Sequence, residues 1–354
     1  MTEHPVNQGA LNPAITFGLD TFGDVHTDNS GKRLSDPQTI RNLVDEGVLA
    51  EETGVDYFGI GEHHTENFPL SAGDVVLAAI AARTSRIHLG SAVTVISSDD
   101  PVRVFQRYST LDSLSNGRAE VILGRGSSTE SFPLFGYDLR NYEELFEEKV
   151  NLFAELLKER PVTWSGNTRA ALHGLTIYPR TESGHLSTWI GVGGSPESVV
   201  RAARYGFSLM IAIIGGETAR FAPFAGLFHR ALADFGQPGR PVGVHSPGHI
   251  SATDEQAIEE FWPHYETAFA EAAKTRGFRP PTMQNFLRDV GPGGALYVGS
   301  PETVARKITA TLRTLGASRF DLKYGMPGVP QTKIMTSIEF FGSQVAPLAR
   351  EMMA

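Results

Sequence analysis

Residues 57–64 read YFGIGEHH, and residues 86–128 read RIHLGSAVTVISSDDPVRVFQRYSTLDSLSNGRAEVILGRGSS. The first apolar run ends in three ionisable side chains, Glu62, His63 and His64. A second run, Ile87 to Ile96, leads into a helix opened by Pro101 and stopped at Ser115-Asn116-Gly117. A third, Ala119–Leu123, runs into Gly124-Arg125-Gly126. Strand–helix–strand alternation of this kind predicts a parallel sheet. Chemistry in such folds gathers at the C-terminal ends of the strands. The acid, imidazole and guanidinium groups all fall there.

The alternation continues outward. A strand is expected at Ile15–Leu19. A helix follows from Pro37 to Thr53, with Ile40, Leu43, Val44 and Val48 at helical spacing. A helix over Asp74 to Arg83 follows the Tyr57–Gly61 strand. Tyr142 to Lys158 is amphipathic. Beyond a mixed segment ending near His185, strands are expected at Thr188–Val192, Leu209–Ile214, Pro241–Ile250 and Phe320–Tyr324. Helices lie between them, and a closing helix spans 332–350. About eight strands alternating with helices predict an α/β fold, a (β/α)8 TIM barrel with insertions in the strand-to-helix loops. An open doubly wound sheet is the second choice, weakened because no GxGxxG follows the first strand. Residues 1–13 read as a flexible arm and 14–354 as one barrel domain. The polar loop 23–37 is long enough for a lid or binding loop. The Pro/Gly-rich run 277–294 reads as a surface excursion.

Composition narrows the function classes. The chain has 354 residues, 41% of them hydrophobic, enough for a large core. Its net charge of −9 argues against nucleic acid or an anionic membrane as partner. It has no cysteine, which excludes disulfides, thiol nucleophiles and thiolate metal sites. No apolar stretch approaches the roughly 20 residues that span a bilayer. The N-terminal sequence lacks the regions of a signal peptide, so a cytoplasmic enzyme is expected.

Four elements are candidates for chemistry. Adjacent side chains on a strand point to opposite faces, so His63 and His64 are poorly placed to chelate one metal, and no metal is expected. Histidine is the natural acid/base near neutral pH, against the plain alternative of a polar strand end bonded to a loop. Arg125 between two glycines suits a phosphate, or a salt bridge closing the rim. Gly193-Gly194-Ser195 sits before a helix N-terminus, where free N–H groups bind anions. A structural reading competes there, because GSPESVVRAARYG at 194–206 has a twin in GSPETVARKI at 299–308. Both place serine at the N-cap and proline at N1. The small residues Gly90-Ser91-Ala92-Val93 leave room for a flat ring, or simply for close packing. Phe68, Phe132 and Phe135 read equally as pocket lining or core.

Taken together, the chain resembles the bacterial luciferase-like, flavin-dependent monooxygenases, on EHH at 62–64, LGSAVTVISSDDPVR at 89–103, LDSLSNGRAEVILGRG at 111–126, GVGGSPESV at 191–199 and VGSPETVARKI at 298–308. The resemblance implies FMN, as FMNH2, with O2 as co-substrate, a C4a-peroxyflavin intermediate and a small organic substrate. It puts His63 at the reacting edge of the flavin, beside Glu62. It places Arg125 and Gly193, Gly194 and Ser195 at the phosphate, and a non-prolyl cis peptide at Ala92–Val93 under the ring. No dedicated NAD(P)H site is apparent, so a separate NAD(P)H:flavin reductase is expected, and the likeness implies a homodimer. Two departures stand out. Glu197 occupies the phosphate turn where the luciferases have hydroxyl residues. Gly124 stands where they carry a reactive cysteine, so light emission is not implied. The rival readings are a deazaflavin-dependent dehydrogenase and a non-catalytic flavin-binding protein. A phosphate-substrate isomerase would need a base such as Lys323.

Overall fold

Strand β1 (Thr16–Thr21) pairs in parallel with both β2 (Tyr57–Ile60) and the last barrel strand, β8 (Arg319–Lys323). That double pairing closes the sheet. Around the ring follow β3 (His88–Ser91), β4 (Ala119–Gly124), β5 (Ser187–Val192), β6 (Ser208–Ala212) and β7 (Val242–Ile250), every pair parallel. The chain is therefore a closed eight-stranded (β/α)8 barrel, described by the computed structural model over residues 15–126, 129–182, 184–276 and 279–354. The arm expected over residues 1–13 lies outside the described residues.

Alternation along each strand explains the layering. Phe17, Leu19, Phe58, Val121, Leu123, Ile190, Leu209, Ile211, Phe320 and Leu322 pack in the core cluster between barrel and helices. The intervening residues point inward. Tyr57, Ile122, Trp189 and Met210 form a separate apolar cluster inside the barrel. Small residues make room for them. A Cβ on Gly59 would lie 2.8 Å from the Tyr57 ring, and one on Gly243 would lie 2.7 Å from Met210 Cε.

Charge also enters the interior. The Arg319 guanidinium lies 3.7 Å from the Tyr57 ring centroid and 4.7 Å from that of Trp189. It bonds Glu120 at 2.6 Å and Asp321 at 2.8 Å. Burial pushes the Glu120 carboxyl up, but Arg319 and His88 outweigh it and hold it at about 2. Burial pushes Asp321 up to about 6 against the pull of Arg319.

The helices follow the expected spacing. α1 (Asp36–Glu52) is capped by Ser35, whose hydroxyl accepts from the Gln38 N–H. α2 (Gly73–Ala81), α3 (Pro101–Ser115), α4 (Tyr142–Leu156), α5 (Pro196–Arg204) and α6 (Ala222–Asp234) follow their strands. α3 ends at Asn116 in the left-handed conformation, as the Ser-Asn-Gly stop predicts. α7 (Asp254–Arg276) and α8 (Pro301–Leu315) flank a short strand, Tyr297–Gly299, that pairs with the end of β7. Among the described residues no helix is long and apolar enough to cross a membrane.

Several expectations are corrected. The single strand expected over 87–96 is two pieces, His88–Ser91 and Thr94–Val95, joined through a cis Ala92–Val93 bond. The mixed segment holds an antiparallel pair, Val162–Trp164 with Leu172–Leu175. The run 277–294 contains a helix, Met283–Val290, whose Phe286 is buried against Trp262 and Tyr265. The closing helix is interrupted by a π turn at Phe341–Val345. The start of the 23–37 loop is packed down, since Asp24 and His26 are buried and bonded to Lys323 and Gln331.

Replacing Arg319 with methionine would strand two buried carboxylates. Urea denaturation at pH 7 should show a loss of roughly 3–5 kcal/mol. The pH dependence should change as well. Glu120 sits below its unfolded value, so its contribution is present above the ordinary carboxylate range and lost as pH falls toward about 2. Arg319→Met should flatten that acid-side slope.

Candidate active site

The C-terminal ends of the strands open into a cavity of about 470 Å³, a size that suits a small-molecule or cofactor site. Glu62, His63, Ala92, Val93, Arg125, Gly193, Gly194 and Ser195 all line it. The sequence-predicted residues therefore converge on one place, drawn from the ends of β2, β3, β4 and β5.

The two histidines lie just past the end of β2 and take different partners. His63 Nδ1 lies 2.8 Å from Glu130 Oε1, and His64 Nε2 lies 2.9 Å from Glu62 Oε1. Phe22 and Phe68 pack on the His63 ring at 5.0 and 5.2 Å. Burial pushes the Glu130 carboxyl up, but the hydrogen bond from His63 and backbone N–H groups hold it below its ordinary value. Glu62 braces the broken third strand. Its N–H donates to Val93 O, and its Oε2 accepts from the Val95 N–H at 3.1 Å. Burial pushes its carboxyl above the ordinary value, against the pull of His64.

Val93 forms part of the cavity wall because β4 ends in glycine. A Cβ on Gly124 would lie 2.3 Å from Val93 Cγ2. At the rim, Arg125 pairs with Glu143 and lies 5.4 Å over the Tyr142 ring. The Tyr142 hydroxyl donates to Gly126 O at 2.9 Å.

The twin turns differ where it matters. In the second copy, Asp254 accepts from the Ser300 N–H at 2.7 Å and from Thr303 Oγ1 at 2.9 Å. Ser300 does not cap its helix with its side chain, contrary to the sequence reading. That helix start is filled by the protein's own carboxylate. In the first copy Ser195 does cap, accepting from the Ser198 N–H. A Cβ on Gly193 or Gly194 would meet nothing within 4 Å, and Gly194 has φ 150°. Glu197 lies exposed, and its carboxylate takes its own N–H and the Ser195 hydroxyl. A second anion at this turn would compete with it.

The sequence reading missed the floor. Asp20, His245 and Asp321, from β1, β7 and β8, line the same cavity, as do Phe22, Glu130 and Met210. Ionisable residues interrupting apolar strands, as in FGLD, VGVHS and RFDLK, were the available signal. Of the three phenylalanines, Phe132 is fully buried in packing against Tyr142 and Phe135 is exposed beside His64. Phe68 supports Phe22 and His63 from behind.

This barrel with its strand-end cavity defines an enzyme architecture, and comparison supplies the family. The model of the family described as luciferase-like monooxygenase matches residues 18–319. The chain belongs to the luciferase-like monooxygenase family, flavin-dependent oxidoreductases. It is 23% identical to an alkanal monooxygenase alpha chain of Photorhabdus luminescens, over 93% of this chain and 98% of that one. It is 24% identical to limonene 1,2-monooxygenase of Rhodococcus erythropolis, over 84% and 78%. Solved structures share the fold. Monooxygenase RslO1 from Streptomyces bottropensis superposes with TM-score 0.80 at 20% identity, over 94% and 99% of the two chains. The oxygenating constituent of 3,6-diketocamphane monooxygenase from Pseudomonas putida, in complex with FMN, gives 0.73 at 18%, over 94% and 98%. A coenzyme F420-dependent tetrahydromethanopterin reductase from Methanopyrus kandleri gives 0.72 at 18%, over 94% and 99%.

Gly124→Ala should push Val93 out of the cavity wall. Thermal denaturation should show a loss of about 1–3 kcal/mol, the usual cost of overpacking.

Proposed function

We propose that this chain is an FMNH2-dependent monooxygenase acting on a small organic substrate. The observation that carries the reading is the contrast between the twin turns. One helix start is filled by Asp254, while the other opens into the cavity beside Arg125. Bound there, reduced FMN would supply the electrons that activate O2 for transfer to the substrate.

The residues present fit that group. The N–H groups of Gly193, Gly194 and Ser195 and the Arg125 guanidinium would hold the phosphate, with the helix dipole of α5 behind them. Ala92 and Val93, beside Ile122 and Gly191 of the neighbouring strands, form an apolar wall suited to a flat ring. Glu62 keeps that wall in place through Val93 and Val95. His63, oriented by Glu130, offers its second ring nitrogen as a hydrogen-bond partner or acid/base at the cavity. Phe22 and the aliphatic lining keep water from that nitrogen.

Supply and assembly follow the same reading. A separate NAD(P)H:flavin reductase provides FMNH2, since the first strand carries no dinucleotide fingerprint. A homodimer is part of the same reading. The lack of cysteine suits a cytoplasmic enzyme. A deazaflavin dehydrogenase is the second reading, favoured by the likeness to an F420-dependent fold.

Titration with FMN and with deazaflavin, followed by stopped-flow oxidation of the reduced complex, decides between them. Tight FMN binding with a long-lived oxygenated phase is expected; tight deazaflavin binding alone would reverse the assignment. Arg125→Ala should weaken FMN about tenfold or more. Glu197→Gln should tighten it several-fold by removing a competing charge. His63→Ala should spare FMN affinity and speed flavin reoxidation in air, and unchanged kinetics would remove His63 from its role.

A further inference from the structure

The cavity floor carries a second imidazole–carboxylate pair. His245 Nδ1 lies 2.7 Å from Asp20 Oδ2, and both residues line the cavity. The Asp20 side chain is buried, and that of His245 is 11% exposed. The hydrogen bond to Asp20 engages Nδ1 and leaves Nε2 as the other polar atom of a ring that lines the cavity, and Asp20 Oδ1 is buried without a hydrogen-bond partner. Phe22 stacks on the ring at 6.1 Å and 25°. The same phenylalanine touches His63 at 5.0 Å. Two histidines, each held by its own carboxylate, thus flank one aromatic side chain. The flavin site of the preceding section uses only His63.

The surroundings define what His245 could bind. Val93, Ile122, Met210, Ala212 and Ile214 give the cavity an apolar lining, so the ligand's skeleton is apolar. Asp20 and Asp321 stand beside the imidazole, and Lys323 on β8 is already held by Asp24 and Gly325 O. A ligand that arrives as a carboxylate adds a net negative charge beside the two aspartates, whereas proton transfer from a neutral hydroxyl to the imidazole leaves an ion pair and no net change of charge. A hydrocarbon would leave Nε2 unsatisfied. A hydroxyl enters neutral and brings its own proton.

We propose that His245, held by Asp20, binds and deprotonates the acidic hydroxyl of a phenolic or enolic substrate, a role that rests on the monooxygenase reading above. In this step the substrate O–H bond breaks and an N–H bond forms at Nε2. The electron pair stays on oxygen, and nothing is oxidised or reduced. The resulting phenolate or enolate carbon is electron-rich, which suits it to attack by electrophilic oxygen. Asp20 is a positioning residue: it fixes the tautomer by accepting the Nδ1 proton. Burial alone would push the imidazole down, but Asp20 and Asp321 push it above its ordinary value while Lys323 opposes them. His245 is therefore a stronger base than free imidazole.

The test uses para-nitrophenol, whose phenolate absorbs in the visible, with the FMN-loaded protein and an FMN-matched reference. The bound probe should ionise at a pH about one unit lower than the free probe. His245→Gln should abolish that shift and leave FMN affinity within about threefold. Asp20→Asn should reduce it, and His63→Gln should keep it. Nitrogen-15 NMR of histidine-labelled wild-type protein should show the His245 ring signals move on probe addition, a readout that needs no variant. The proposal is overturned if the probe does not bind saturably, if the shift survives His245→Gln, or if His63→Gln removes it equally. Failure of FMN binding with the probe shift intact would sink the monooxygenase reading alone.

Discussion

Arg319 is the side chain on which the barrel interior depends. Its charge is buried 2% exposed, with Tyr57 and Trp189 on its faces and Glu120 and Asp321 on its edges. Such a group is tolerated only when each donor finds a partner. Its partners come from β2, β4, β5 and β8, so one residue ties together four strands. Gly18 makes this possible, since a Cβ there would lie 2.2 Å from Asp321 Oδ1. The layer above Arg319 is the floor of the cavity, and Asp321 belongs to both. Stability below and chemistry above are joined through that carboxylate.

The joint has an electrostatic consequence. Glu120 and Asp321 both bond the same guanidinium, yet one is held at about 2 and the other pushed up to about 6. Burial is the main cause at Asp321, outweighing the pull of Arg319, and the nearby charges of Asp20 and Glu120 add to it. Its raised value means that its contribution to stability is present below the ordinary carboxylate range and lost as pH rises through about 6. Glu120 works in the opposite direction. The floor therefore holds a carboxyl whose charge is costly near neutral pH, next to an imidazole that favours its own.

Much of the barrel was legible in the sequence because strand and helix periods are local properties. YFGIG, AEVILG and STWIGV announce strands, and capped helices announce themselves by Ser, Asp and Pro. The rim of the site was legible for the same reason: EHH and GRG mark where strands stop. What the sequence hid was pairing across the ring. His63 meets Glu130, 67 residues away, and His245 meets Asp20, 225 residues away. Neither carboxylate carries a local signal of its partner. The helix at Met283–Val290 was hidden by the Pro and Gly that flank it. The twin serines looked equivalent because Asp254, which separates them, lies on a different helix.

That difference shows how one short motif can have two fates. A Gly-Ser-Pro-Glu start always supplies unpaired N–H groups, because any helix must. Whether they serve structure or a ligand depends on what the fold brings opposite them. At Ser300 the fold brings an aspartate, and the site is closed. At Ser195 it brings a cavity, an arginine paired with Glu143 and an exposed glutamate from the same turn. On the reading proposed above, anion binding at Ser195 would depend on the lack of a carboxylate fixed there by another helix rather than on the motif. The same logic governs the two histidines. Each is held by an acid through its Nδ1, and both line the cavity.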